Sequence, residues 1–385
     1  MARKKTFFLD QGETLGGAER FLLDFFHTLS PTEIRQIQPV VVGAKQEQYR
    51  SALPENVEVE SFEYTSLRGN IFRRVIVLFS LVRDAWKLRK LASRHQAGTF
   101  FSNTPRTHFV MLVAKKLFFL HGRWIVMTHD FTVPRFLLRS IASRADALIA
   151  NSIPCREYLR KNIAKRDQEK IKIIENGIDF KHIPAALSPQ KIERILMLGR
   201  IDPRKGQLFA VEAADLLQER NPDVKFFIAG DSFEEDVRTG YYKNKIHQFV
   251  RERHLENVYF VGEVPNPFEV IADADCILAL PAEPETFGRI VIEALALGKL
   301  VISFDETGPR EILKNFERFL GNHGASLFLV EKQNSMSLAE RIGYFADHPE
   351  EVSHRTLRGR EFVEKYFSIG ETKKRLINVL LEKNR

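Results

Sequence analysis

The chain has 385 residues, of which 44% are hydrophobic and 28% are charged, and its formal net charge is +8. This length is about twice that of a common domain, so we expect two domains, and the ordinary composition excludes a fibrous or disordered chain. Two cysteines without CxxC or Cys/His spacing argue against a disulfide framework or a zinc site and favour a reducing compartment.

The charge is distributed unevenly along the chain. Residues 1–190 hold 30 Lys and Arg against 18 Asp and Glu, a balance of +12, whereas residues 191–385 hold 28 against 32, a balance of −4. A basic half attracts nucleic acid, anionic lipid or phosphorylated substrates, and charge alone does not choose among them. Two lysines interrupt the longest apolar run, residues 109–120, so no segment is predicted to span a membrane.

The N-terminal half alternates strand-like and helix-like segments, a pattern typical of a parallel α/β domain. It begins with KTFFLD and the helix GGAERFLLDFFHTL. Gly16 and Gly17 lie between this strand and this helix, where they would let the backbone approach a phosphate. Further along, His129 directly follows the strand RWIVMT. It either faces a ligand cleft or packs within its loop, and the sequence leaves both interpretations open.

Residues 71–95 contain seven basic residues and one acid. Interspersed apolar residues make the segment amphipathic: Phe72, Val75, Leu78, Phe79, Val82 and Trp86. Such a segment is typical of a helix that docks on an anionic bilayer, where a lipid-linked acceptor would be reached. A helix that faces the core and has a solvated basic edge explains the pattern equally well.

Gly and Pro residues around 176–192 indicate a linker, after which the alternation of strands and helices resumes. Two such blocks predict two doubly wound parallel sheets. Ligands bind such sheets at the carboxyl ends of the strands, so the cleft between the domains is the expected site.

The segment PAEPETFGRIVIEALALGKL, residues 281–300, places Glu285 in a loop and Glu293 in a helix that we expect to begin near Phe287. Amides of a first helical turn have no intrahelical partner and suit a phosphate, which Gly288 would allow to come close. Carboxylates on both sides would hold hydroxyl groups, as a sugar nucleotide requires. A surface acid and an exposed helix position are the alternative interpretation.

In LGRIDPRKGQ, residues 198–207, a strand ends at Arg200 and a turn presents Lys205 before the next helix. Two cations at a strand end suit a pyrophosphate, because charge-assisted hydrogen bonds of about 1.5–3 kcal/mol each strengthen as a nucleoside diphosphate departs. Two solvated cations are the alternative. Asp273 and Asp275 match the D-x-D pattern of metal-dependent sugar transferases, but they directly precede an apolar strand, so turn and cap roles are predicted.

The order of these motifs resembles the retaining glycosyltransferases of family 4, which have the two-domain GT-B fold. The motifs are GGAER, THD, NS, ENGID, LGRIDPRKG, VGEV, EPETFGRIVIEA and TGPREI, and they cover nearly the whole chain. The resemblance implies an α/β fold of two Rossmann-like domains facing across a cleft. These are an acceptor-binding domain (1–185), a nucleotide-sugar-binding domain (186–365) and a C-terminal helix (366–385) that returns to the first domain. One departure is TGPRE, residues 307–311, where similar sequences read GGPxE.

By motif position, the resemblance implies that Arg200 and Lys205 neutralise the diphosphate. It also implies that Glu293 binds the ribose and that Glu285 contacts the transferred sugar. Backbone amides would complete the cradle for phosphate and sugar; they belong to Phe287, Gly288, Arg289 and Ile290.

Three other positions complete the implied site. The turn at Gly16 and Gly17 would close over the diphosphate, His129 would touch the sugar near the reaction centre, and Val264 would lie against the base through its backbone. The resemblance further implies retention of configuration, no metal or other cofactor, and a glycan or lipid-linked saccharide as acceptor.

Two alternative functions remain open at this point. One is a nucleotide-sugar 2-epimerase, which shares the two-domain architecture. The other is a non-catalytic basic protein that binds nucleic acid, but the basic half lacks clustered aromatics and a nucleic-acid module, so we expect no nucleic acid partner. The expected location is cytoplasmic, at the cytoplasmic membrane face if residues 71–95 dock there.

Overall fold

The computed structural model describes residues 4–12, 16–44, 46–64, 71–185, 187–232, 237–322 and 326–382, without the side chains of residues 71–78 and 182. The chain forms two compact units. Unit 1 comprises Met1–Asp179 and Ile369–Arg385, and unit 2 comprises Phe180–Ser368. The sequence placed the corresponding boundaries at 185/186 and 365/366.

Unit 1 contains a parallel sheet. Its described strands are β1 Lys5–Asp10, β2 Pro39–Gly43, β3 Glu58–Ser61, β4 Ala97–Ser102, β5 Arg123–Thr128, β6 Ala147–Ala150 and β7 Ile171–Ile173. Their spatial order is β3-β2-β1-β4-β5-β6-β7. The described helices are α1 Gly17–His27, α2 Pro31–Ile37, α3 Glu47–Ser51, α4 Ile71–Arg94, α5 Pro105–Leu117, α6 Arg135–Ala142 and α7 Ile153–Asn162.

Unit 2 repeats this architecture. Its described strands are β8 Arg194–Leu198, β9 Lys225–Ala229, β10 Val258–Gly262, β11 Cys276–Ala279, β12 Leu300–Phe304 and β13 Leu329–Val330, in the order β10-β9-β8-β11-β12-β13. The helices are α8 Gln207–Leu217, α9 Val237–Glu252, α10 Pro267–Ala272, α11 Arg289–Ala296, α12 Thr307–Phe319, α13 Ser335–Asp347, α14 Pro349–Thr356 and α15 Gly359–Tyr366. The last described helix, α16 Ile369–Leu381, belongs to unit 1.

Apolar cores cover both faces of the sheet of unit 1. Successive residues of a strand point to opposite faces, so each strand contributes to both cores. Phe7 lies in one apolar core and Phe8 in the other. Helix α1 adds Phe21 and Phe25 to the second core, where the rings of Phe8 and Phe25 lie 6.0 Å apart. Helix α16 adds Leu376 to the same core, which confirms that the C-terminal helix returns to the first domain.

In each sheet the strand order reverses at one point, between β1 and β4 in unit 1 and between β8 and β11 in unit 2. All strand pairings in both sheets are parallel. The prediction of two Rossmann-like sheets is therefore confirmed. Ligands of such sheets bind at the carboxyl ends of the strands where the order reverses, so these two points position the candidate sites.

Cys155 and Cys276 are both buried free thiols. Within the described part of the chain, no helix combines the length and the hydropathy needed to cross a bilayer.

Candidate functional site

The turn after β8 and the loop after β11 lie against each other at the reversal point of unit 2. Ala282 N donates a hydrogen bond to Arg204 O at 2.9 Å. On the β8 side, the Gln207 side-chain amide donates to Arg200 O at 2.8 Å, which ties this turn to the start of α8. The two segments that the sequence singled out separately are thereby neighbours.

Lys205 and Glu285 form an ion pair within this site, with Nζ 3.0 Å from Oε2. Their side chains are 45% and 30% exposed. An ion pair this accessible contributes only about 0.2–1 kcal/mol to stability. A phosphate could therefore replace the carboxylate as the partner of Lys205 at small cost to the fold.

The N-terminus of α12 fixes the loop that carries Glu285. Thr307 Oγ1 accepts a hydrogen bond from Glu285 N at 3.0 Å and donates one to Glu285 O at 2.7 Å. Gly308 N also donates to Glu285 O, at 2.9 Å. A Cβ on Gly308 would lie 2.5 Å from backbone atoms of Phe287. The TGPRE departure thus keeps the glycine that this contact requires, and its threonine supplies two hydrogen bonds.

Helix α11 begins at Arg289, two residues later than the expected start at Phe287. Gly288 is its N-cap in the left-handed conformation, with φ of 93°, and a Cβ there would lie 2.8 Å from the Pro309 ring. Phe287 is buried, its ring 5.8 Å from that of Phe367, so only its backbone is suited to a ligand. Val291 N donates to Gly288 O at 3.0 Å, and amides at the start of a helix, where intrahelical acceptors are lacking, suit an anion.

Glu293 is buried on α11, so its interpretation as an exposed helix position is wrong. Its Oε1 accepts a hydrogen bond from Arg289 Nε at 2.6 Å, one helical turn earlier. The pair is 13% and 6% exposed, and burial strengthens its attraction and fixes the carboxylate in one position.

The remaining candidates of unit 2 follow its strands. Arg200 is half-buried just beyond the carboxyl end of β8. Val264 is half-buried beyond β10, the edge strand, and Ile290 is half-buried in the first turn of α11. All three lie after the carboxyl end of a strand.

The D-x-D pair lies at the opposite, amino-terminal edge of the same sheet. Asp275 Oδ2 accepts hydrogen bonds from Glu193 N at 2.9 Å and from Arg194 N at 2.8 Å. Asp273 O accepts one from the Arg194 side chain at 2.9 Å. The predicted turn and cap roles are confirmed, because Asp275 joins the start of β8 to the start of β11.

In unit 1, the candidate glycines lie at the start of α1. Gly16 is the N-cap, and its N–H donates to Glu19 Oε2 at 3.0 Å. No heavy atom of the described residues lies within 4 Å of a Cβ built on Gly17. Packing within the described part of unit 1 therefore does not account for that glycine.

His129 lies beyond β5 and hydrogen-bonds through Nε2 to Asn103 Oδ1 at 2.8 Å. Asn103 Nδ2 donates to Asp10 Oδ2 at 2.8 Å, and Tyr49 OH donates to the same carboxylate oxygen at 3.4 Å. Burial raises the pKa of Asp10 to about 6 and lowers the pKa of His129 to about 4. Sequence reasoning missed Asp10 and Asn103, although each is a polar residue at the carboxyl end of a buried strand.

Helix α4 has two distinct faces from residue 79 onwards. One is buried and consists of Ser80, Asp84, Ala85, Leu88 and Ala92. The other is exposed and combines two aromatic residues, Phe79 (73% exposed) and Trp86 (45%), with the cations Arg83 and Lys90. Lys90 Nζ lies 3.6 Å from the centre of the Trp86 ring. The side chains of Phe72, Val75 and Leu78 lie outside the described residues.

Two family models match adjacent parts of the chain. The model of Glycosyltransferase Family 4 matches residues 15–182, and the model of glycosyl transferases group 1 matches residues 179–361. Together they cover residues 15–361, most of both units.

Solved structures and curated proteins give similar results. The structure of HepE from Anabaena in complex with UDP and glucose aligns with 99% of this chain and 100% of that one, with a TM-score of 0.80 and 22% identity, and this likeness concerns the fold. A phosphatidyl-myo-inositol mannosyltransferase of Mycobacterium tuberculosis is 28% identical over 151 residues, 37% of each chain. An uncharacterised glycosyltransferase of Methanocaldococcus jannaschii is 30% identical over 182 residues, 44% of this chain and 42% of that one. The chain thus matches less than half the length of these curated relatives.

Proposed function

The chain belongs to glycosyltransferase family 4, and we propose that it transfers a sugar from a nucleoside-diphosphate sugar to a glycan or lipid-linked saccharide with retention of configuration. The observation that supports this most is the ion pair between Lys205, in the turn before α8, and Glu285, in the loop that leads into α11. Together with the N-terminus of α11, the pair brings a cation, a carboxylate and backbone amides to the point where the strand order reverses.

In this proposal, the diphosphate binds between Lys205, Arg200 and the first-turn amides of α11. Negative charge grows on the diphosphate as the bond to the sugar breaks, so these groups stabilise the transition state more than the bound donor. When the donor binds, Lys205 pairs with its phosphate instead of with Glu285. The carboxylate of Glu285 is then free to contact the transferred sugar. Glu293, held by Arg289, binds the ribose hydroxyls.

Retention is proposed to follow a route on one face of the sugar. The departing phosphate oxygen accepts the proton of the acceptor hydroxyl while that hydroxyl oxygen forms the new bond to the anomeric carbon. This route needs no enzyme nucleophile, and we assign none. Positive charge develops on the sugar ring, where Glu285 stabilises it.

We further propose that no metal ion is required for transfer. The charge that a divalent cation would neutralise is met by Arg200, Lys205 and the amides of α11. The D-x-D carboxylate of Asp275, which would be the alternative metal ligand, is engaged by two backbone amides at the other edge of the sheet.

Related structures suggest the donor to test first. The HepE structure contains UDP and glucose, and another structure of the same protein contains UDP-glucose. We propose a nucleotide-sugar donor for this chain, and a uridine diphosphate sugar is the first candidate.

The acceptor is proposed to bind unit 1 and to be reached at an anionic membrane surface. The exposed face of α4 supports this, because its aromatic side chains can enter the interface while Arg83 and Lys90 meet anionic headgroups. Phe119, beyond the end of α5, is 71% exposed. It lies next to Phe118, whose carbonyl accepts a hydrogen bond from Arg89 Nε on α4. Charge complementarity selects an anionic lipid surface as the partner.

Two substitutions test the donor site. We expect Glu285→Gln and Lys205→Ala each to lower kcat by on the order of 100-fold or more, as removal of one transition-state contact does. Their unfolding free energies should change by no more than about 1 kcal/mol. The measurement is release of nucleoside diphosphate from a panel of UDP-, GDP- and ADP-sugars, with thermal melting in parallel.

Arg220→Ala is the matched control, because Arg220 forms an exposed ion pair with Asp347 at 3.1 Å, beyond the C-terminal end of α8. It should keep full turnover. Full turnover by both donor-site variants would refute the assignment. Epimerised donor formed without any acceptor would instead favour a nucleotide-sugar 2-epimerase.

A further inference from the structure

His129 belongs to a chain of hydrogen bonds that leads through Asn103 to the buried carboxylate of Asp10. Asn103 Nδ2 donates to two acceptors, Asp10 Oδ2 at 2.8 Å and Ala18 O at 3.0 Å. The amide oxygen of Asn103 must therefore be the atom that faces His129, at 2.8 Å from Nε2. An amide oxygen only accepts hydrogen bonds, so the imidazole proton lies on Nε2.

Asp10 in turn fixes the orientation of the Asn103 amide. Its carboxylate is fully buried and also receives hydrogen bonds from Gly12 N at 3.2 Å and from Tyr49 OH at 3.4 Å. A flipped Asn103 would direct its oxygen at the oxygens of Asp10 and Ala18, so both of its hydrogen bonds would be lost and replaced by contacts between acceptors. Such a flip costs on the order of two buried hydrogen bonds, so a single orientation persists.

We propose that Asn103 is a positioning residue that holds His129 as the neutral Nε2–H tautomer and separates its ring from the carboxylate of Asp10. This rests on the proposed function and on the role near the transferred sugar that the family resemblance implies for His129. Positive charge develops on that sugar in the transition state, and an imidazolium beside it would raise the barrier. A carboxylate in direct contact with Nε2 would favour the imidazolium, whereas the amide of Asn103 does not.

Three elements contribute groups near His129 or next to it in sequence. On helix α1, the ring of Phe21 meets His129 edge-on at 5.7 Å, and the carboxylate of Glu19 is engaged by Gly16 N. Helix α5 contributes His108, and burial followed by the proximity of His129 lowers the pKa of His108 to about 3. The adjacent Asp130 accepts from Thr132 N at 2.9 Å and from its hydroxyl at 2.7 Å.

The experiment compares Asn103→Asp and Asn103→Leu with the wild type in kcat and KM between pH 5.5 and 9. Aspartate raises the pKa of His129, so activity should be lost as the pH falls through that raised value. We expect the loss in kcat to be about tenfold or more at pH 6 and smaller at pH 8. Leucine should lower kcat at all pH values without a new acid limb, and KM should change by less than about threefold in both variants.

Asn257→Leu is the matched control, because Asn257 is a buried asparagine of unit 2 whose amide donates to Ala214 O at 3.0 Å. It should lower the melting temperature and leave the pH profile unchanged. If the Asn103 variants do not fold, the nitrogen chemical shifts of the wild-type imidazoles still report the tautomer and the protonation state of His129. The proposal requires a protonated Nε2 and an unprotonated Nδ1 on His129 at pH 7.

An Nδ1–H tautomer or an imidazolium on wild-type His129 at pH 7 would overturn the proposal, as would a wild-type pH profile in a folded Asn103→Asp variant. His129→Ala separates this inference from the proposed function. Full turnover by His129→Ala would show that His129 takes no part in the reaction. Lost turnover in His129→Ala, with normal kinetics in both Asn103 variants, would refute only the positioning role of Asn103.

Discussion

Individual polar residues are where the sequence was least informative. Glu293 is buried against Arg289, but its spacing alone favoured an exposed helix position. Asp10 and Asn103 lie 93 positions apart and meet only because β1 and β4 are neighbours in the sheet. Burial and pairing of this kind depend on strand order, which a local pattern does not contain. His129 could be identified because it directly follows a strongly apolar strand.

Two histidines of unit 1 predict how stability depends on pH. Burial lowers the pKa of His129 to about 4 and that of His108 to about 3, both below the usual 6.5. Between pH 6.5 and about 4 the unfolded chain therefore binds more protons than the folded one, so stability falls as the pH falls. Asp10 acts in the opposite direction, because burial raises its pKa from 3.8 to about 6. The combined effect of the two histidines on the unfolding free energy should exceed that of this one carboxyl group, so net stability should fall as the pH falls.

Urea unfolding of the wild type and His108→Gln at pH 5, 6 and 7 measures this effect. The substitution should flatten the dependence of unfolding free energy on pH, by at most about 1.4 kcal/mol per pH unit. His121→Gln, which alters an exposed histidine, should keep the wild-type slope. An unchanged slope in His108→Gln would show that His108 is not held neutral by the fold.

Helices were predicted from local periodicity, and their ends depend on distant contacts. Helix α11 begins at Arg289 because Gly288 packs against Pro309, 21 positions away in the sequence. For α4, the sequence left open a core-facing helix or a membrane-docking one. The described part contains a buried stripe that faces the core and, on another side, the exposed aromatic and basic face that is proposed to dock on a membrane.

The exposed face of α4 predicts binding to anionic membranes. Wild-type protein should co-sediment with vesicles that contain phosphatidylglycerol at low salt, and less with pure phosphatidylcholine. Replacing both Phe79 and Trp86 by serine should weaken that binding at least about tenfold, because burial of one large apolar side chain contributes about 1.5–3 kcal/mol. Leu357→Ser, on an exposed leucine of unit 2, is the control and should bind normally. If the wild-type protein does not bind these vesicles at low salt, the exposed face of α4 is not a membrane-docking surface.

At the scale of the whole molecule, the sequence was sufficient for the architecture. Alternation of buried strands and amphipathic helices in two blocks predicted two parallel sheets, and both have a reversal of strand order at their centre. Because that reversal collects loops from distant parts of the chain, Lys205 and Glu285 meet although 80 positions separate them. Their contact could be expected only from the resemblance of motifs, since neither residue has a local signal for the other.

Titration calorimetry of the wild type and Lys205→Ala with UDP, GDP, ADP and the corresponding nucleosides tests the donor site most directly. We predict that one diphosphate binds the wild type and that Lys205→Ala weakens it about tenfold or more, as loss of a charge-assisted hydrogen bond does. Affinity for the nucleoside, which lacks the phosphates, should be equal in both proteins. Equal affinity of both proteins for the diphosphate, or no binding of any diphosphate by the wild type, would contradict a pyrophosphate site at Lys205 and α11.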